Sequence, residues 1–170
     1  LWLVVRSEPA RENLRREAAV RGIAPQRLVF APDLPYAEHL ARLALADIAL
    51  DTLPYNSGTT ASDALWCGVP VVTCPGEAFA SRMAGSLLRA ARLPELIAGT
   101  LEDYEAIALA LARDADARSR MRERLVEGRS TLPLFDTDRF RRHLERAYLA
   151  MWERHLRGEP PEGFAVAPLD

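Results

Sequence analysis

Lysine is missing from this 170-residue sequence, in which all 22 cationic residues are arginines. Chemistry that depends on a lysine side chain, including the phosphate-binding lysine of a P-loop, is therefore excluded within the chain. Cysteine is also scarce, since Cys67 and Cys74 are too few for a disulfide scaffold. We interpret both as small buried thiols rather than a metal or redox pair, and we expect a reducing, cytoplasmic location.

Several other signals are absent from the sequence. No apolar run approaches the roughly 18 residues that suggest a membrane helix, and no segment has the pattern of a secretory signal. The formal charge of −2 gives no reason to expect binding to nucleic acid or to an anionic membrane. No metal-ligand cluster is recognisable, and no Gly-x-Gly-x-x-Gly motif follows a strand. We therefore predict no metal site and no dinucleotide fold of the usual type.

Apolar residues make up 49% of the chain, enough for a proper core. Short apolar, β-branched runs at 1–5, 27–30, 47–51 and 70–73 predict strands, and helical patterns at 9–20 and 36–45 separate the first three. This alternation predicts an α/β fold with a mainly parallel sheet. The run at 1–5 has the character of a strand covered on both faces. A terminus inside a buried strand is unusual, so we expect further polypeptide upstream.

Helices dominate the second half of the chain, at 79–93, 101–113 and 138–157. Residues 114–128 are dense in arginine, and because acidic residues alternate with the arginines we interpret this stretch as a solvated face rather than a nucleic-acid-binding stripe. The last of these helices carries a stripe of large apolar residues at helical spacing, which predicts core packing. The stripe comprises Phe140, Leu144, Tyr148, Met151 and Trp152. From residue 158 onward, prolines and glycines predict an irregular tail to residue 170.

The central stretch, residues 48–73, is typical of a strand, a polar loop, a helix, a tight turn and a second strand. The helix is predicted to open at Gly58-Thr59-Thr60, where unpaired backbone N–H groups and hydroxyls suit a phosphate. Asp63 follows one helical turn later and could accept hydrogen bonds from two ribose hydroxyls. The alternative is structural: Thr59 or Thr60 caps the helix and Asp63 complements its dipole.

In an open α/β sheet, ligands bind outside the carboxyl ends of the strands. Loops 31–35, 52–58 and 74–77 meet that condition. His39 and Arg42 are three residues apart on the short helix after the first of these loops, hence on one face. They could stack on a base and donate to its carbonyl, or they could be surface residues. A signalling receiver domain, suggested by Asp51 and Thr73 at strand ends, is disfavoured because that fold needs a lysine.

Residues 51–73, DTLPYNSGTTASDALWCGVPVVT, resemble the donor-binding segment of the O-GlcNAc transferase/Spindly family, glycosyltransferase family 41. The resemblance continues through PGEAFASR (75–82), LPELI (93–97) and LERAYLAMW (144–152), and covers about residues 1 to 165. It implies the C-terminal, Rossmann-like lobe of a GT-B glycosyltransferase, with a parallel sheet, flanking helices and several closing helices. Residues 1–157 would form this lobe without its first strand–helix unit.

The resemblance also implies residue roles. Thr59 and Thr60 would contact the diphosphate of UDP, beside Gly58, and Asp63 would hold the ribose. Animal members carry a histidine at the position of Gly58, whereas bacterial relatives often have glycine.

The uracil would meet three other positions. His39 would pack on the base, Arg42 would approach its edge, and backbone near Leu34 would contact it. Tyr36 stands where some members have a lysine. The diphosphate-binding lysine, the catalytic groups and the acceptor-binding lobe would all lie upstream of Leu1.

The function implied is inverting, metal-independent transfer of GlcNAc from UDP-GlcNAc to protein Ser or Thr hydroxyls, without a cofactor. The partners implied are the nucleotide sugar and a protein acceptor, held by the upstream lobe and, as a further candidate, by TPR repeats. Alternatives are a relative that uses GDP-fucose or UDP-glucose, or a fragment that binds nucleotide sugar without catalysis.

Overall fold

The computed structural model describes residues 1–168, which fall into two compact units. The first unit is Leu1–Arg42, and the second begins at Leu43. Leu169 and Asp170, the end of the predicted irregular tail, lie outside the described residues. The expectation that residues 1–157 act as one lobe stays a prediction.

The first unit is a β–α–β arrangement followed by a second helix. Its elements are β1 (Trp2–Leu3), α1 (Glu8–Val20), a 3-10 turn (Pro25–Arg27), β2 (Val29–Phe30) and α2 (Tyr36–Leu43). β1 and β2 pair in parallel, with Trp2 opposite Val29. Gly22 adopts a φ of 72°, the left-handed conformation that ends a helix at low cost, and α1 ends as predicted.

The second unit contains another parallel strand pair and five helices among its described residues. The strands are β3 (Ala49–Leu50) and β4 (Val71–Val72), joined by α3 (Thr59–Trp66). The later helices are α4 (Met83–Ala90), α5 (Leu101–Arg113), α6 (Ala115–Glu127) and α7 (Thr137–Leu156), with 3-10 turns at Phe79–Arg82, Pro94–Leu96 and Gly128–Ser130. The alternation of strands and helices is as predicted, and the strands form two parallel pairs.

The core of the second unit lies around β4 and α3. Both residues of β4 are buried, and so are Val69, Pro70 and Thr73 on either side of it, as expected for a strand covered on both faces. Fully buried large side chains include Leu65, Leu88, Leu93, Leu96, Leu125 and Val69. These come from α3, α4, α6 and the connecting segments, so the apolar faces of the helices converge on the strand.

The turn between α3 and β4 depends on Gly68. Its φ is 78°, and a Cβ at this position would lie 2.8 Å from Cγ2 of Val126 and 3.2 Å from Cγ of Arg122. Only glycine combines the left-handed conformation with such close approach of α6. The turn therefore fixes where α3 ends and where β4 enters the core.

Two burial predictions are wrong for the described residues. β1 was expected to be covered on both faces, yet half of the Trp2 surface is exposed. The α7 stripe was expected to pack in the core, yet Phe140 is 65% exposed and Trp152 is 58% exposed. Helical spacing shows that residues share a face, but it does not show what covers that face. Leu50, the second residue of β3, is exposed as well.

The helix predicted at 79–93 is also revised. It begins as the 3-10 turn Phe79–Arg82, and the α-helix starts only at Met83. Ser81 is buried there and its hydroxyl donates to the carbonyl of Ala78, which stabilises the tighter turn. Within residues 1–168, no helix is both long enough and apolar enough to traverse a membrane.

Candidate functional site

The carboxyl ends of β3 and β4 lie side by side because the two strands are parallel, with Leu50 opposite Val72. The next residues, Asp51 and Thr73, are both buried and hydrogen-bonded: the Thr73 hydroxyl donates to Oδ2 of Asp51 at 2.6 Å. Loops 52–58 and 74–78 therefore leave the strands at the same edge, as predicted for a ligand-binding edge.

Asp51 organises the first of these loops. Its Oδ1 accepts hydrogen bonds from the backbone N–H of Thr52 at 3.0 Å and of Ser57 at 2.7 Å. Its backbone carbonyl accepts the phenol of Tyr104 at 2.9 Å. The carboxylate is thus satisfied by neutral donors, which is how a buried charge is tolerated.

Asn56 is a second buried polar residue in the same loop. Its side-chain Nδ2 donates to the carbonyl of Thr52 at 3.0 Å, and its backbone N–H donates to the carbonyl of Ala80 at 3.1 Å. The first bond closes the loop on itself, and the second ties it to the 3-10 turn that precedes α4. Its Oδ1 is buried and has no hydrogen-bond partner within the described residues.

Helix α3 begins at Thr59 with Gly58 as its N-cap, and no side chain caps it. The alternative in which Thr59 or Thr60 caps the helix is therefore not what the structure has, because both lie inside the helix. Of the other helices, α5, α6 and α7 each receive a side-chain cap, from Thr100, Asp114 and Asp136, whereas α1 and α4, like α3, receive none from their N-cap residues. The first N–H groups of α3 have no intrahelical acceptor and carry the positive end of the helix dipole.

A cavity of about 450 Å³ opens at this helix start. Its walls are Thr52, residues 55–60, Phe79, Ala80 and Met83. Thr59 and Thr60 are exposed, whereas Asn56 is fully buried behind them. The cavity thus combines backbone and hydroxyl donors from Thr59 and Thr60 with two exposed aromatic side chains, Tyr55 and Phe79. This set of donors suits a ligand in which an anionic group is attached to a larger molecule.

Asp63 lies one helical turn beyond Thr59 and does not line the cavity. It is half-buried, on the same helix as Cys67. Burial raises the pKa of the Cys67 thiol, and the negative charge of Asp63 raises it further. Cys67 is therefore a protonated, buried thiol near neutral pH, in agreement with its interpretation as a core residue.

The other predicted site residues belong to the first unit. His39 and Arg42 contact each other, with 3.3 Å between Nδ1 of His39 and one guanidinium nitrogen of Arg42. A guanidinium can only donate, so Nδ1 is the acceptor in this hydrogen bond. Arg42 also donates to the carbonyl of Pro32 at 2.7 Å. The prediction that both residues share a helix face is confirmed.

Arg42 thereby joins α2 to the loop 31–35 that contains the half-buried Leu34. The same loop is tied to the end of β1, since Arg6 donates to both carboxylate oxygens of Asp33 at 2.8 and 3.2 Å. The Arg6 guanidinium holds the pKa of Asp33 below its ordinary value. The loop after β2 is therefore anchored by two arginines at Pro32 and Asp33, the two residues directly before Leu34.

The structure thus brings Gly58, Thr59 and Thr60 together at one cavity, with Asp63 on the same helix. Leu34, His39 and Arg42 all belong to the first unit, where Arg42 contacts both His39 and the loop that contains Leu34. Sequence reasoning missed the roles of Asp51 and Asn56 in shaping the loop. The available signal was the polar residue directly after each of two consecutive strands, Asp51 and Thr73.

A second cavity, of about 440 Å³, lies between α7 and the tail. Its charged residues are matched, since Arg154 pairs with Glu162 at 2.5 Å and Glu159 at 3.6 Å. Among the described residues, no three His, Cys, Asp or Glu side chains are placed to hold a metal ion. The first cavity therefore remains the candidate site.

Comparison with known proteins relates the chain to one family. Residues 1–144 match the family described as Glycosyl transferase family 41. The chain is 39% identical over 171 residues to the probable UDP-N-acetylglucosamine--peptide N-acetylglucosaminyltransferase SEC of Arabidopsis thaliana, covering 100% of this chain and 18% of the plant protein. The Caenorhabditis elegans UDP-N-acetylglucosamine--peptide N-acetylglucosaminyltransferase is 39% identical over 160 residues, covering 94% of this chain and 14% of the nematode protein.

A solved structure is similar as well. A lysine-to-methionine variant of the Thermobaculum terrenum O-GlcNAc transferase superposes with a TM-score of 0.75 at 40% identity. The match covers 86% of this chain and 28% of that structure, so the chain spans a minor part of the relatives it matches. It confirms the predicted α/β fold and its likeness to a GT-B glycosyltransferase.

Proposed function

The chain belongs to glycosyl transferase family 41, and we propose that it forms the nucleotide-sugar-binding lobe of a glycosyltransferase. The proposed reaction is inverting, metal-independent transfer of GlcNAc from UDP-GlcNAc to Ser or Thr hydroxyls of a protein. The observation that carries the proposal is the start of α3, which has no side-chain cap and opens into the 450 Å³ cavity.

The diphosphate is assigned to this helix start. The N–H groups of Gly58, Thr59 and Thr60 and the hydroxyls of both threonines are the donors, and the helix dipole favours negative charge there by about 0.3–1 kcal/mol, or up to about 2 kcal/mol where partly buried. In glycosyl transfer the nucleoside diphosphate departs with the bonding electrons. Donors aimed at the phosphate therefore stabilise the charge that develops as the sugar leaves.

The nucleoside is assigned to the remaining residues. Asp63, one turn along α3, accepts hydrogen bonds from the ribose hydroxyls. His39 packs on the uracil, with its ring orientation held by Arg42. Arg42 donates to the edge of the base, and backbone near Leu34 contacts it. These roles rest on the family resemblance and on the contacts of each residue within its own unit.

The substrate assignment is supported by the names of the relatives, which are UDP-N-acetylglucosamine--peptide N-acetylglucosaminyltransferases. The chain itself holds no assigned catalytic residue. From the family resemblance, the acceptor-binding lobe, the diphosphate-binding lysine and, as a further candidate, TPR repeats are expected outside the part of such proteins that this chain matches. A member that uses GDP-fucose or UDP-glucose, and a fragment that binds without catalysis, are the alternatives. Buried thiols at Cys67 and Cys74 support a reducing, cytoplasmic location.

Calorimetric titration of the 170-residue chain with UDP, GDP, UDP-GlcNAc, UDP-glucose and GDP-fucose tests the assignment. We expect UDP and UDP-GlcNAc to bind and the guanine nucleotides to bind more weakly. Preference for GDP would instead support the alternative that the chain belongs to a relative that uses GDP-fucose. Absence of binding to every nucleotide would contradict the donor site.

A further inference from the structure

Asp51 is a carboxylate that is 5% exposed, and each of its hydrogen bonds reaches a different part of the chain. Oδ1 accepts from Thr52, the first residue of the loop, and from Ser57, the residue just before the α3 N-cap. Oδ2 accepts from Thr73 at the end of β4. Burying a carboxylate is costly, so a position that retains one gains something from its bonding pattern.

The consequence is geometric. One carboxylate clamps the two ends of the 52–57 segment together and fixes both to the neighbouring strand through the Thr73 hydroxyl. The N–H of Ser57 is drawn inward to Asp51 at 2.7 Å. The following donors, those of Gly58, Thr59 and Thr60, line the cavity. The direction in which α3 begins is therefore set by a residue that does not line the cavity itself.

Asn56 adds a second restraint on the 52–58 loop, and this restraint has a cost in stability. Its Nδ2 faces the carbonyl of Thr52, which assigns the amide orientation because the reverse would place two acceptors together. Oδ1 is then left buried without a partner in the described structure. An unsatisfied buried acceptor lowers stability. The side chain is therefore better explained by the loop shape it enforces than by a gain in stability.

We propose that Asp51, acting through Ser57 and Thr73, is the positioning residue of the donor site. It presets the 52–58 loop so that the α3 N-terminus faces the diphosphate, with Asn56 as a supporting restraint. The inference rests on the proposed function. It adds a polar bracket, formed by Asp51, Asn56, Ser57 and Thr73. Asn56 and Ser57 belong to the cavity wall, whereas Asp51 and Thr73 do not line the cavity and determine how tightly the diphosphate is held without touching it.

The test compares Thr73→Val with Thr73→Ser. Valine has nearly the same shape and removes the hydroxyl donor, whereas serine keeps it. We expect Thr73→Val to weaken UDP binding about three- to tenfold and Thr73→Ser to stay close to the unchanged chain. Asp51→Ala, which removes both acceptor oxygens and so leaves the Ser57 N–H and the Thr73 hydroxyl without this partner, should weaken it by about tenfold or more.

A stability control separates positioning from general damage. Thr100→Val removes another structural threonine hydroxyl, the N-cap of α5 that accepts from Asp103, and should lower Tm while leaving UDP affinity unchanged. Wild-type affinity in folded Thr73→Val and Asp51→Ala would overturn the proposal. So would an equal loss of affinity in Thr100→Val, since that would mean the affinity follows stability alone.

A readout without nucleotide distinguishes failure of this inference from failure of the donor site. Amide hydrogen exchange in the ligand-free chain should show the Ser57 N–H protected, and Asp51→Ala should remove that protection while amides in β4 stay protected. If the unchanged chain binds no nucleotide but shows this pattern, the donor site is wrong and the bracket stands. If Ser57 exchanges freely in the unchanged chain, the bracket is wrong.

Discussion

The Thr73 hydroxyl donates a 2.6 Å hydrogen bond to Oδ2 of Asp51, and the two buried residues end neighbouring parallel strands. This bond joins the edge of the β3–β4 pair to the loop that leads into α3. Because Asp51 also accepts from Ser57, the strand edge and the helix start are parts of one hydrogen-bonded unit. The cavity at the helix start is therefore a property of the strand pair as much as of the loop.

Replacing Thr59 by proline should weaken nucleotide binding while sparing the fold. Thr59 is the first residue of α3, where proline is well tolerated because the lost N–H has no intrahelical acceptor. We expect UDP affinity to fall about tenfold, as for loss of a charge-assisted hydrogen bond. Leu101→Pro makes the same change at the first residue of α5 and should leave affinity unchanged, as measured by calorimetry. Equal UDP affinities in the unchanged chain, Thr59→Pro and Leu101→Pro would contradict the assignment of the diphosphate to the start of α3.

Asp63→Ala should weaken UDP binding by about 1–3 kcal/mol, the range for hydrogen bonds to a charged partner. Asp116→Ala, in the first turn of α6, is the matched control because it removes a helix carboxylate far along the chain from the loop. Calorimetric titration with UDP and with pyrophosphate distinguishes the role further, since a ribose contact affects only UDP. Unchanged UDP affinity in Asp63→Ala would instead support the structural alternative, in which Asp63 only complements the dipole of α3.

His39→Ala should weaken binding of UDP but not of pyrophosphate, because its proposed contact is with the base. Loss of base stacking corresponds to about 1–3 kcal/mol. His155→Ala on α7 is the control and should bind both ligands as the unchanged chain does. A parallel loss of UDP and pyrophosphate affinity in His39→Ala would mean that the variant perturbs the phosphate site instead.

Gly68→Ala should be considerably more destabilising than Gly22→Ala. Both glycines have positive φ, which costs a residue with a Cβ about 1–2 kcal/mol. At Gly22 a Cβ meets nothing within 4 Å, whereas at Gly68 it lies 2.8 Å from Val126. Urea unfolding should therefore show a loss of about 1 kcal/mol for Gly22→Ala and a clearly larger loss for Gly68→Ala. If the two variants lost similar free energy of unfolding, α6 would have shifted away from the Cβ at residue 68 without an energetic cost.

The free energy of unfolding should fall as the pH rises above about 10, partly because of Tyr104. Burial raises the pKa of this phenol, and the negative charge of Asp51 raises it further. The unfolded chain loses the phenolic proton at a lower pH than the folded chain, so alkaline pH favours unfolding. Urea titrations between pH 8 and 11 should show a shallower decline for Tyr104→Phe. Tyr148→Phe, at a 59% exposed residue, should keep the original slope.

Local signals predicted the helices well. α5 was predicted at 101–113 and runs from Leu101 to Arg113, because Thr100 caps its start and Asp114 breaks away to cap α6. Gly22 ends α1 for an equally local reason. Such features depend on a few consecutive residues, so they can be read from the chain without its tertiary structure.

Burial could not be read in the same way. The stripe containing Phe140, Tyr148 and Trp152 does lie along α7, as its spacing predicted, but the side chains are exposed. The strand at Trp2 is exposed for the same kind of reason. Whether an apolar face is covered depends on what lies opposite, and that information is not contained in the periodicity of one element.

The sequence by itself determined that a helix begins at Gly58-Thr59-Thr60, that this chain supplies no lysine to the site, and which family the central motif resembles. The tertiary structure decided that this helix start has no side-chain cap and opens into a cavity. It also decided that Asp51 is the buried residue which shapes the loop. The reason is physical: the bond between Asp51 and Thr73 depends on the parallel register of β3 and β4, which places the ends of two separate strands side by side.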